Sequence, residues 1–259
     1  SCCRDGVREA SGWSERSSWP ERATPLRDLA SAIGRFGGAG AATLWPMSDD
    51  DIAIEHSLPD DLRDQAVEIF EDAFGQKMRT VVRDAERRKR FMHASYVAEN
   101  CVIAHRDGTL LGMTGLSSRG EPFAGGLLGN SWDPRPHREL LGWIGAAWAV
   151  WGNRLGSHRP KADEIYVDGI AVSPDARGLG VGTRLLHETT AVARSLGKRF
   201  VRLDVIDTNP RAQALYERLG YRVTKVQSFG YIERWDGFGR MISMELAVPP
   251  TPESTEHAS

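Results

Sequence analysis

Apolar residues recur at helical spacing in several stretches of the chain and at strand spacing in others, and this alternation predicts a mixed fold. Leu62, Ala66, Ile69, Phe70 and Ala73 share one face of a helix expected over residues 59–74, with Gly75 as its stop. A second helix is expected over 80–94, and its basic run Arg87-Arg88-Lys89-Arg90 reads as a solvated face. A third is expected over 183–196, where Leu185, Leu186, Thr189, Val192, Ala193 and Leu196 keep the period and Gly197 ends it. Strands are expected over 52–56, then over 101–105 and 109–116, the last two joined by Asp107-Gly108, a strong hairpin signal. One strand precedes and another follows the third helix, and strands over 222–227 and 241–248 close the pattern.

The ends of the chain differ from its middle. Residues 1–46 are rich in Ser, Arg, Gly and Ala without a sustained apolar period, and read as a disordered leader, with Met47 as the expected natural start. The tail 249–259 also reads as disordered, leaving one folded domain over 47–248. Within it, an insertion at 120–162 carries Pro134, Pro136 and a helix with Leu141, Trp143, Ile144, Trp148 and Trp151. That apolar stripe is too short to span a membrane; extra core, an acceptor-site wall and a homodimer contact are its three readings.

Composition narrows the class. With 259 residues, 41% of them hydrophobic, and a net charge of −2, the chain can bury a sizeable core and has no basic excess toward nucleic acid. The three cysteines, Cys2, Cys3 and Cys101, lack disulfide-framework or zinc spacing, so a reducing cytoplasm is the expected compartment, with Cys101 buried in a strand.

The candidate chemistry lies in 163–221. Arg177-Gly178-Leu179-Gly180-Val181-Gly182 opens the third helix, and its glycines let backbone N–H groups approach an anion at the helix's positive end. A Walker loop would need a Gly-Lys-Ser/Thr ending. A dinucleotide fingerprint would need its glycines directly after the strand, where Ser173-Pro174-Asp175-Ala176 intervenes, although Asp204 and Asp207 keep that alternative open. Downstream, Asn209, Pro210, Ala212, Tyr216 and Gly220-Tyr221 mark a short helix with Pro in its first turn and Gly at its end.

The loop and the Asn-Ala-Tyr-Gly-aromatic spacing, separated by one strand, together resemble the acetyl-CoA-binding half of the GNAT N-acetyltransferase superfamily. The resemblance implies an α/β (α+β) fold: a mixed, mostly antiparallel central sheet with a splayed central strand pair and helices on both faces. It implies an acyltransferase with acetyl-CoA as co-substrate and no metal, working by direct transfer to an amine. Pyrophosphate contacts would fall to Arg177, Gly178, Leu179, Gly180, Val181, Gly182 and Thr183. Pantetheine contacts would fall to the backbone of Ile170, Ala171 and Val172, and Asn209 and Ala212 would complete the coenzyme site. Tyr216 stands at the position of the family's usual general acid.

The chemistry asks for such groups. Neutralising an alkylammonium of pKa ~10.4 at pH 7 costs roughly 4–5 kcal/mol unless a base takes its proton. Strand alternation places Glu164, Tyr166 and Asp168 on one face of the strand before the loop, which leaves both carboxylates as candidate bases. A phenol of pKa ~10 stays protonated at neutral pH and can donate to the departing thiolate. Tyr231, Glu233, Trp235 and Asp236 in the last loop are further candidates for amine contacts. The acceptor is expected to be a small-molecule, peptide or protein amine, with neither nucleic acid nor membrane as partner. Two rivals are a non-catalytic acyl-CoA sensor, which would not depend on Tyr216, and a Rossmann-type nucleotide binder.

Overall fold

The computed structural model describes residues 52–79, 83–120, 122–124, 126–127, 159–228 and 239–250. The expected start at Met47 with its leader, the Trp-bearing helix, the candidates Tyr231, Glu233, Trp235 and Asp236, and the tail from 251 lie outside these residues.

The strands are β1 (Ala53–Glu55), β2 (Cys101–Arg106), β3 (Thr109–Ser117), β4 (Glu164–Val172), β5 (Phe200–Ile206), β6 (Arg222–Ser228) and β7 (Arg240–Ala247). They form one sheet in the order β1-β2-β3-β4-β5-β7-β6. Only β4 and β5 run parallel; every other neighbouring pair is antiparallel. The Asp107-Gly108 hairpin is present, with both residues at positive φ, as the tight twist of a two-residue turn requires.

Four α-helices accompany the sheet among the described residues: α1 (Arg63–Met78), α2 (Ala85–Ser95), α3 (Val181–Ser195) and α4 (Pro210–Arg218). Helices α1 and α2 cover one face, where Leu62, Ala66, Phe70 and Met92 pack on Ile103, Met113 and Ala171. Helices α3 and α4 cover the other, where Leu185, Leu186, Val192 and Tyr216 pack on Ile165, Val167, Val201 and Leu203. Each fully buried aliphatic side chain contributes about 1.5–3 kcal/mol of transfer free energy, so each helical layer is held by its apolar stripe.

Two local expectations change. Gly75 does not stop α1, which continues to Met78. Its missing side chain serves another purpose, since a Cβ there would sit 2.6 Å from the Glu71 carboxylate. That carboxylate accepts from Arg88 Nε at 3.1 Å, and the Arg88 Nη1 also donates to the Arg83 carbonyl at 2.8 Å. Arg88 is therefore buried, at 3% exposure, and the basic run is only partly a solvated face. Helix α2 starts at Ala85 because the Asp84 side chain caps it, accepting from Arg87 N at 2.7 Å.

Two irregularities in the sheet open a space along β4. Strands β4 and β5 pair only from Glu164↔Phe200 to Val167↔Leu203. Beyond that point β4 stays with β3 as far as Val172, and β5 stays with β7 as far as Ile206, so the two strands part into an open slot. At the same point β4 bulges: Val167 faces Leu116 and Gly169 faces Gly115, which leaves Asp168 as the extra residue.

Candidate active site

The slot has a glycine loop at its mouth. Gly178 and Gly180 hold φ of +88° and +79°, and a Cβ at either would meet nothing within 4 Å, so their faces are open. Gly180 caps α3 without a side-chain hydrogen bond. The N–H groups of the first turn, including Val181, Gly182 and Thr183, have no intrahelical acceptor and carry the helix's positive end. Gly182 sits where three elements meet: its absent Cβ would lie 3.6 Å from Leu215 of α4 and 3.8 Å from Val172 of β4. Arg177 is exposed beside this loop and pairs with Asp72 of α1.

The walls of the slot have backbone to offer. Antiparallel pairing with β3 uses alternate N–H and C=O groups of Ile170, Ala171 and Val172 and turns the others toward the side that β5 has left. The residues expected to hold the coenzyme are thus gathered along one continuous path from Ile170 to Thr183. Asn209 stands apart from it chemically: its side chain caps α4 by accepting from Ala212 N at 3.2 Å.

The candidate proton-transfer groups approach from opposite faces. Tyr216 belongs to the core on the α3/α4 side; burial pushes its phenol up to about 12, so it holds its proton through the neutral range. The Tyr221 ring lies 5.8 Å away, centroid to centroid. Asp168 projects on the α1/α2 side, where Oδ1 accepts from the Ser117 hydroxyl at 2.9 Å and Oδ2 accepts from Leu127 N at 2.8 Å. Protein surrounds this carboxyl yet water reaches it, as on the floor of an open cleft. Desolvation pushes its pKa above the usual carboxylate range, and the two hydrogen bonds oppose that rise without cancelling it.

Glu164 sits elsewhere. It lies at the closed end of the β4–β5 pairing with 0% exposure, accepting from Lys161 N at 2.8 Å and paired with Arg202 Nε at 2.7 Å. Arg202 also pairs with Glu245 of β7. Strand alternation correctly puts Glu164, Tyr166 and Asp168 on one face, but only Asp168 stands where the strands part. Between them, Tyr166 donates to Asp204 Oδ2 at 2.9 Å across the parting strands, and burial followed by the Asp204 charge pushes its phenol well up.

Asp207, an acidic residue that a dinucleotide site could use, accepts from Gly239 N and Arg240 Nε, both at 3.3 Å, and ties the end of β5 to β7. The glycine loop before α3 serves a mostly antiparallel sheet, not a doubly wound parallel one.

The family model for Acetyltransferase (GNAT) matches residues 60–221, from just before α1 to just past α4 and through both walls of the slot. The chain belongs to this family. Thialysine N-epsilon-acetyltransferase from Bos taurus is 40% identical over 60 residues, 23% of this chain and 35% of that protein. Mycothiol acetyltransferase from Geodermatophilus obscurus is 41% identical over 99 residues, 32% of each chain. The matched segments thus span about a third of these curated relatives. A GCN5-related N-acetyltransferase structure from Kribbella flavida superposes with a TM-score of 0.50 at 16% identity, covering 77% of this chain and 99% of the other, and shows the shared fold. The GNAT fold accounts for the parted strands and the loop; what sequence reasoning missed is the support around Asp168. Ser117, Leu127, Gly126 and Asn100 gave no motif, although glycines inside strands, here Gly115 and Gly169, are a signal for a bulge.

Proposed function

We propose that this GNAT protein moves an acetyl group from acetyl-CoA directly to a primary amine within a ternary complex. One observation carries the reading: the sheet opens between β4 and β5 with a glycine cradle at the mouth, a carboxylate on one face and a protonated phenol on the other. The cradle fits the pyrophosphate because its glycines are open and it leads into the N–H-rich first turn of α3. Acetyl-CoA supplies an acetyl group activated as a thioester. Asp168, directly or through one water, takes the proton of the acceptor ammonium, so that the amine nitrogen can form the new C–N bond as the C–S bond breaks. Tyr216 donates its proton to the departing sulfur, and the second proton lost by the nitrogen as the amide forms passes through water to restore the phenol. Backbone N–H groups at the β4 bulge are suited to polarise the thioester carbonyl.

Glu164 is assigned to structure, because its ion pair with Arg202 and its full burial remove it from solvent and acceptor alike. Asn209 is assigned to shaping α4 by capping the Ala212 N–H, while Arg177 exchanges Asp72 for the coenzyme phosphates. The acceptor is a small-molecule, peptide or protein amine; a cytoplasmic setting and a homodimer through the insertion belong to the same proposal.

The test is Tyr216→Phe, assayed for turnover on an amine acceptor and for acetyl-CoA binding. Loss of the acid should lower kcat by about 10²-fold or more while binding is retained. Turnover equal to wild type would remove the general-acid assignment, whereas acetyl-CoA binding by the wild-type protein without turnover on any amine would favour the acyl-CoA sensor.

A further inference from the structure

We propose that Asn100 is a positioning residue for the Asp168 carboxylate, acting through the segment that carries Gly126 and Leu127. The inference rests on the reading of Asp168 as the acceptor-side base.

Asn100 closes a 3-10 turn (Ala98–Asn100) just before β2 and is 2% exposed. Its Nδ2 donates to two carbonyls of the chain beyond β3, Ala124 O at 3.3 Å and Gly126 O at 2.7 Å. Val97 N, in the same turn, donates to Leu127 O at 3.0 Å. With the carbonyls of Ala124, Gly126 and Leu127 so fixed, the Leu127 N–H is aimed at Asp168 Oδ2. Two glycines make room for this arrangement. A Cβ on Gly126, whose φ is +71°, would lie 2.3 Å from Asp168 Oδ2, and one on Gly115 would lie 2.4 Å from Leu127 Cβ. A side chain at either place would push Leu127 and the carboxylate apart.

The chemistry gives the clamp its purpose. A carboxylate in a partly desolvated cleft tends to protonate, and a protonated one cannot accept a proton from an ammonium group. A fixed N–H on one oxygen favours the ionised form and orients its remaining lone pairs. Among the described residues, the other groups near Asp168 do not confuse its titration. They are the Ser117 hydroxyl on β3, the Cys101 thiol on β2, pushed up to about 12, and the Tyr166 phenol, pushed higher still. Asp204 on β5 lies behind the Tyr166 hydroxyl, and Phe70 and Phe74 of α1 lie against the neighbouring Gly169.

The experiment tracks the Asp168 carboxyl by carbon-13 NMR, assigned by its loss in Asp168→Asn, in the full chain and in Asn100→Leu and Gly126→Ala. Leucine keeps the branched outline and heavy-atom count of asparagine and removes both donated bonds. In both variants the carboxyl midpoint should move to higher pH, and kcat/KM should fall about tenfold more at the acid end of the profile than at the alkaline end. Gly126→Ala acts directly at the Asp168 oxygen, so the inference stays falsifiable should Asn100→Leu fail to fold. An unmoved midpoint in a folded variant would overturn the positioning role. A moved midpoint with a pH-independent loss of activity would keep that role and overturn Asp168 as the base.

Discussion

At the scale of single residues, Asp168 stands out because its environment works against its charge. Its folded-state pKa is raised, chiefly by desolvation, so the folded protein binds a proton more readily than the unfolded chain does. The resulting stability is fully present below the unfolded carboxylate pKa and is lost as pH rises through the folded value. Asp168→Asn cannot ionise, and its melting temperature relative to wild type should therefore improve as pH is raised from about 4 to 7. Thermal scans of both proteins across that range check the sign; a difference that does not change with pH would contradict the shift. Asp207 has the opposite sign. Burial raises its pKa, but the bonds from Arg240 and Gly239 outweigh that and lower it, so its contribution is present at neutral pH and lost as pH falls through the depressed value.

Among the elements, the α1–α2 layer shows how one glycine can decide a sign. Gly75→Ala in a helix interior should stabilise by up to about 1 kcal/mol on propensity alone. Here the added Cβ would displace the Glu71 carboxylate from the buried Arg88 guanidinium. Breaking a buried ion pair costs about 3–5 kcal/mol, so the displacement wins over propensity and the variant should be net destabilised by about 2–4 kcal/mol. Urea unfolding measures it, and a stabilised Gly75→Ala would mean that Glu71 swings aside without losing Arg88. The same packing explains why α1 passes through a residue that reads as a stop. The Asp84 cap explains in turn why α2 begins at Ala85, later than its apolar period suggests: a side chain satisfying a backbone N–H outweighs periodicity at a helix end.

For the whole molecule, the slot divides the sheet into β1–β4 and β5–β7–β6, joined along the strands only by the short Glu164–Val167 pairing. A coenzyme lying in that slot touches both halves and should stabilise the fold as a unit. At about 100 times its dissociation constant, acetyl-CoA should add about 2.7 kcal/mol, with CoA acting similarly and NAD giving no shift. Differential scanning calorimetry with the three ligands separates the cases; a shift with NAD alone would favour a nucleotide binder.

The elements and the donor half of the site were legible in the chain because they rest on local physics. Apolar periods of 3.6 and 2 set the helices and strands, Asp107-Gly108 set the hairpin, and glycines at positive φ with an open face set the cradle before α3. Tyr216 and Arg177 are proposed from spacing along the chain, which a motif preserves. The tertiary structure alone sets the surroundings of the two carboxylates apart. Glu164 and Asp168 share a strand face and a residue type, but the parting of β4 from β5 falls between them, and that event depends on pairing with β3 and β7. It seals Glu164 against Arg202 and opens Asp168 to the slot. The hydrogen bonds that tune Asp168 come from residues 41 and 51 positions away in the chain, where no local pattern can register them. Sequence determines which chemistry the chain carries; only the fold brings a buried amide, two glycines and a loop N–H to one oxygen.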